Sequence, residues 1–127
     1  MSVFGIGVDV VENERIGALL ERHGGSFVAK VFTEGERRYC EMQRDPVPHY
    51  AARFAAKEAI AKALGCGIGK DLNWTDMDIQ RSESGAPHVR LYGAGARFMQ
   101  EQGIGEVMIS LSHARQYSAA NAIALRG

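Results

Sequence analysis

Tyr50-Ala51-Ala52-Arg53-Phe54-Ala55-Ala56-Lys57-Glu58-Ala59-Ile60-Ala61-Lys62-Ala63-Leu64-Gly65 reads as one long helix that a glycine ends. At roughly 100° per residue, Ala56, Ala59, Ile60 and Ala63 share one arc, which must face a core. Arg53, Lys57, Glu58 and Lys62 fall in the opposite half, with Phe54 among them. The alanine arc allows close packing on a sheet. Glu58 and Lys62, four apart in the favourable order, predict either a surface ion pair worth about 0.3–0.5 kcal/mol or a working site. An exposed ring at Phe54 gains nothing on a solvated face, so it counts against the plain reading.

Working outward, the chain starts with Phe4-Gly5-Ile6-Gly7-Val8-Asp9-Val10, which alternates with period two and predicts a strand. Phe4, Ile6, Val8 and Val10 share one face, and Gly5, Gly7 and Asp9 share the other. The glycines let a ligand or another backbone approach closely. Asp9 needs a partner, because a carboxylate buried alone is costly. Helices follow from Glu12 to His23, ending at Gly24-Gly25, and over Ser26–Val31. A third helix is capped by Thr33, with Glu36 as its capping-box partner. Pro46 and Pro48 mark a loop before the long helix. Strands at Met77–Arg81 and His88–Tyr92 join through Ser84-Gly85-Ala86-Pro87. Ala94–Gln102 is helical, and strands around Val107–Ser112 and Tyr117–Leu125 close the chain. The order β-α-α-α-β-β-α-β-β, with mostly antiparallel neighbours, is an α+β fold in a single domain over residues 1–127.

Composition narrows the function. The 127 residues carry 15 Lys plus Arg against 15 Asp plus Glu, so no basic excess points to nucleic acid. No apolar run approaches the ~20 residues of a membrane span, and no signal-like start is read, so the cytoplasm is expected. Cys40 and Cys66 form no metal-type or redox pair. Gly65-Cys66-Gly67-Ile68-Gly69-Lys70 is too short for a P-loop and has Asp71 where Ser or Thr is required, although a glycine turn beside Lys62 could lie along a diphosphate. Ser110-Leu111-Ser112-His113 is no serine-hydrolase site: strand neighbours point to opposite faces, and no nucleophile elbow is present. A His at a strand end can serve a hydrogen bond or meet a phosphate.

Three segments in order, Gly5–Asp9, Arg53–Gly65 and Ser110–His113, resemble the signatures of the phosphopantetheinyl transferases, and within them the short bacterial holo-acyl-carrier-protein synthases. The resemblance spans essentially the whole chain. Its weakest stretch is Met42–Tyr50, which matches no motif. It implies transfer of 4′-phosphopantetheine from coenzyme A to a carrier-protein serine, with Mg²⁺ held by Asp9 and Glu58. Such an ion takes few carboxylates and completes its shell with water and phosphate oxygens. Lys62 and Lys57 would neutralise phosphate charge, with Arg53 assisting. Gly65 and Gly67 would lie beside the nucleotide, and Gly85 and Pro87 would meet the adenine. Ser112 and His113 would complete the phosphate pocket from a neighbouring subunit of a homo-oligomer, a trimer by resemblance. Either Glu58 or a metal-bound water would take the serine proton. Arg15 and Arg22, seven apart on one helix face, are either solvated or dock the acidic acyl carrier protein. A coenzyme A-binding module without chemistry is the alternative, and it leaves the paired carboxylates unexplained.

Overall fold

The computed structural model describes residues 2–127. Its elements are β1 (Val3–Glu12), α1 (Asn13–Val31), α2 (Glu34–Glu41), α3 (Pro46–Leu64), β2 (Met77–Arg81), β3 (Pro87–Leu91), α4 (Gly93–Gln102), β4 (Ile104–His113) and β5 (Tyr117–Arg126), with a 3₁₀ turn at Trp74–Asp76. This is the expected order. β1, β5 and β4 form one antiparallel sheet with β5 central, and β2 and β3 form a two-stranded hairpin.

The long helix begins earlier than the sequence reading placed it. Asp45 caps it, with its Oδ1 accepting from Val47 N at 3.3 Å, and Pro46 opens it. A first-turn proline gives up an N–H that no helical carbonyl would use and arrives with a helix-compatible φ. The two prolines therefore start α3 rather than interrupt the chain before it. α1 runs continuously from Asn13 to Val31 but kinks at Gly24, whose φ of 44° and ψ of −118° suit glycine, so the expected break survives as a bend. The Thr33 capping box with Glu36 is present as expected.

α3 lies across the three-stranded sheet and is nearly surrounded. Ala55, Ala56, Ala59, Ile60, Ala63 and Leu64 are buried in the core. Sheet and helix meet where both are stripped of bulk. A Cβ on Gly5 would collide with the carbonyl of Ala63, and one on Gly7 with the carbonyl of Ala59. Ala120, Ala122 and Ala124 of β5 bury against the same helix and belong to the core. The other face of β1 therefore looks outward, leaving Ile6, Val8 and Val10 at 71%, 60% and 61% exposure. Strand register places Ile6 beside Ile123, and Ile123 beside Met108. The outer sheet face is thus an uncovered apolar surface, with the Ser110 Oγ donating to Asn121 Oδ1 at its middle.

Candidate active site

β1 presents Asp9 to the helix side of the sheet, and α3 brings Glu58 and Lys62 to meet it. The Lys62 ammonium donates to the Val8 carbonyl at 2.9 Å and lies 3.3 Å from Asp9 Oδ1. Lys62 therefore pairs with Asp9, across elements, rather than with Glu58 on its own helix. Glu58 is half-buried. Burial first, and then the Asp9 charge, push its carboxyl above the ordinary range, while Lys62 and Arg15 oppose the shift. A carboxyl whose proton affinity is raised by a neighbouring carboxylate marks a place where a cation would be welcome. Arg15 of α1 thus faces Glu58 electrostatically and lies 5.9 Å from the Phe54 ring centroid; Arg22, on the same helix, is exposed.

Two expectations for α3, those for Lys57 and Arg53, are corrected here, while the doubt that Phe54 cast on a solvated face agrees with its burial. Lys57 does not sit on a solvated phosphate-binding face. It is fully buried, donating to Glu36 Oε1 at 2.7 Å, Val31 O at 2.7 Å and Trp74 O at 3.0 Å. Its three donors are used, so it has none left for a phosphate. Glu36 in turn accepts from Thr33 N and Ile79 N, so the pair ties α2, α3 and β2 together. Phe54 is not an exposed ring but is stacked on Trp74 with centroids 5.2 Å apart. Arg53 is buried as well, and it points to a different place from Lys62.

That place is a second cluster at the far edge of the sheet. A cavity of about 240 Å³ is lined by His49, Arg53, Arg81, Ser112 and His113, with no carboxylate among its lining side chains. The Arg53 guanidinium lies 4.3 Å from the Tyr39 ring centroid and its Nη1 donates to His49 O at 3.3 Å. Its Nε is buried without a partner. The His49 and His113 rings meet edge-on at 5.0 Å. Asp9 and His113 stand on β1 and β4, the two outer strands of the sheet, so two strand spacings of about 4.8 Å each, and a step from Ala120 to Ser118 along β5, separate them. One chain therefore carries an acidic half-site at one edge and a cationic half-site at the other.

The glycine positions divide between these halves. Gly65 caps α3 three residues after Lys62, donating its N–H to Ala61 O and Lys62 O, and Gly67 follows in the exposed turn. Gly85 turns the β2–β3 hairpin next to Arg81, and Pro87 pairs with Arg81 across it, so this turn belongs to the cationic half. His49 and Arg81 escaped the sequence reading. His49 lies one helical turn before Arg53, a signal visible only once α3 is extended back through its prolines. Arg81 carries no such signal.

Among the described residues no three potential metal-ligating side chains cluster, and no helix is long and apolar enough to cross a membrane. The family model of the 4′-phosphopantetheinyl transferase superfamily matches residues 5–121. Holo-[acyl-carrier-protein] synthases of Chlamydia trachomatis serovar L2 and Chlamydia felis are 45% and 44% identical over 122 and 125 residues. These alignments cover 96% and 98% of this chain and 99% of each relative. Among solved structures, the Neisseria meningitidis holo-[acyl-carrier-protein] synthase superposes with a TM-score of 0.92 at 33% identity, covering 98% of this chain and 100% of that one. The Helicobacter pylori synthase in complex with coenzyme A gives 0.84 at 31% identity, covering 94% and 98%.

Proposed function

The chain belongs to the 4′-phosphopantetheinyl transferase superfamily, and on that premise we infer that it transfers 4′-phosphopantetheine from coenzyme A to a serine of apo-acyl carrier protein, releasing 3′,5′-ADP. The observation that carries this reading is the meeting of Asp9, Glu58 and Lys62 where β1 crosses α3. Asp9 and Glu58 would hold Mg²⁺, and the fit is chemical: both are hard oxygen donors, and two protein carboxylates leave room for water and phosphate oxygens. When bound, Mg²⁺ supplies charge neutralisation to the diphosphate and its departing oxygen. Lys62 adds a fixed positive charge beside that position, and the turn from Gly65 through Gly67 carries only one side chain, the half-buried Cys66, along the approach. Either Glu58 or a metal-bound water would accept the proton of the carrier serine hydroxyl.

The cationic half-site supports a second anchoring point. Arg53 and His113, with Ser112 at the rim, would hold a phosphate that the Asp9 side does not reach. Coenzyme A carries such a phosphate monoester apart from its diphosphate, and the Gly85–Pro87 turn would meet the base beside it. Because the two halves stand on opposite edges of one sheet, a complete site is best built between subunits, the β1 edge of one facing the β4 edge of the next. A cyclic trimer does this three times over. The uncovered apolar face of Ile6, Val8, Val10, Met108 and Ile123 is the natural contact for it. Arg15 and Arg22 would receive the acidic carrier protein. The cytoplasm is the proposed compartment, in keeping with two free thiols.

The test is direct. Purified protein, coenzyme A, Mg²⁺ and apo-carrier protein should give a carrier heavier by one phosphopantetheine, and chelation of the metal should stop the gain. Asp9→Asn and Glu58→Gln should each fold yet lose about 100-fold or more of turnover, the order expected when a charge-stabilising element is removed. Near-normal turnover in either variant would take that residue out of the metal site.

A further inference from the structure

We propose that His49 sets the specificity of the cationic pocket: it favours ligands ending in a phosphate monoester by taking up a proton from solvent as that phosphate enters. The inference rests on the transferase reading above and deepens it at a residue outside the family-like motifs.

The geometry is that of an anion pocket with a titratable wall. Arg53 and Arg81 approach the same Tyr39 ring, at 4.3 Å and 5.3 Å from its centroid, and both line the cavity. Arg53 leaves a buried Nε without an acceptor. The His49 ring sits between Tyr39 at 5.8 Å and His113 at 5.0 Å. The charged and titratable groups around it are Tyr39 from α2, Asp45 and Arg53 from its own helix, Arg81 from β2 and His113 from β4. Only Asp45 is anionic there, and its carboxylate already caps α3. In this surrounding, burial first and then His113, Arg53 and Arg81 hold His49 below the ordinary histidine range. His49 is therefore neutral near pH 7, and a phosphate dianion in the cavity reverses the balance that keeps it so.

Linkage then fixes the sign. If the bound phosphate raises the His49 proton affinity, binding takes up a proton, and affinity weakens as pH rises through the ligand-bound value. Each unit by which the pKa rises corresponds to about a tenfold gain in affinity across the titration. A ligand without the phosphate gains nothing from it.

The test compares coenzyme A with 3′-dephospho-coenzyme A on the intact protein, from about pH 5.5 to about pH 8, the range in which histidine titrates. The readouts are the ratio of the two affinities and the proton uptake, measured by calorimetry in two buffers of unlike ionisation heat. The phosphate monoester itself titrates at about pH 6 in every variant alike, so the His49 proton is read as a difference: the unmutated protein's ratio should exceed that of the variants by about tenfold towards the acid end, with additional net proton uptake. His49→Phe keeps a ring between Tyr39 and His113, and His49→Gln keeps a neutral polar group. In both, the ratio should be smaller and flatter, and the proton uptake reduced. An unchanged ratio and pH profile in the variants, while the unmutated protein still discriminates, overturns the role of His49 alone. Equal affinity for both ligands in the unmutated protein at every pH removes the phosphate from this pocket, and this inference falls with that assignment.

Discussion

Lys57 and Lys62 sit five residues apart on one helix and do opposite things. Lys62 is exposed and reaches Asp9 at the edge of the site, while Lys57 is sealed inside with Glu36. Burial pushes the Lys57 ammonium below its ordinary range and the Glu36 carboxylate holds it up, so the pair persists through hydrogen bonds rather than through a large net Coulombic gain. Lys57→Met should therefore destabilise the fold by about 3–5 kcal/mol, because Glu36 is left as a buried, uncompensated charge. Adding Glu36→Gln should return part of that loss. The KM for coenzyme A measured on the folded fraction should stay within about twofold, a shift of only a few tenths of a kcal/mol. Denaturant midpoints and a coenzyme A titration separate the two roles: a large KM rise with little change in midpoint would put Lys57 back on the ligand.

At the scale of elements, the β1–α3 contact decides where the acidic half-site stands. Gly7 has no room for a Cβ, since the Ala59 carbonyl and the Lys62 Cβ fill the space. Gly7→Ala must push strand and helix apart, so it should cost about 1–3 kcal/mol, as overpacking does, and lower turnover through the misplaced Asp9 and Lys62. Stability and activity unchanged in that variant would show that the contact yields freely. The outer face of α1 carries a different expectation. Arg15→Glu together with Arg22→Glu should raise the KM for carrier protein several-fold, with coenzyme A affinity changed much less. The effect should fade with salt, because it acts on the association of an acidic partner over a Debye length of about 10 Å at 0.1 M salt. Arg15 also offsets the charge of Glu58, so Arg22→Glu alone is the cleaner docking probe. An unchanged carrier KM in that single variant would return Arg22 to ordinary solvated surface.

For the whole molecule, the sheet has one face against α3 and one face bare. Ile6, Ile123 and Met108 form a row of apolar side chains across that bare face, at 71%, 38% and 52% exposure. Ile123→Glu should leave the monomer fold intact and abolish assembly, read by sedimentation or light scattering, and activity should fall with it if sites are shared. Mixing gives a sharper readout. Asp9→Asn and His113→Ala should each be poorly active alone. Refolded together, some interfaces will join an intact acidic half to an intact cationic half, and activity should exceed the sum of the separate proteins. Mixed oligomers verified by mass, yet with no such gain, would place the whole site within one chain.

The alternation at Phe4–Val10, the capping box at Thr33 and Glu36, and the glycine after Leu64 each act over a few residues, so element order and most boundaries were legible without coordinates. Asp9, Glu58 and Lys62 were singled out by the resemblance of their segments to family signatures; periodicity alone placed them on a strand and a helix and left a strand-end Asp and a surface ion pair as open readings. What the sequence by itself could not determine was which side of α3 meets water. A wheel assumes one buried face, whereas α3 is enclosed by the sheet behind it and by α1, α2 and the Trp74 turn around it. Arg53, Phe54 and Lys57 are therefore interior despite lying on the polar half. Tertiary packing also decided that Arg53 and His113 join His49 and Arg81 at the β4 edge, away from Asp9. That grouping depends on strand order and on how far α3 extends towards its N-terminus, neither of which a local pattern contains.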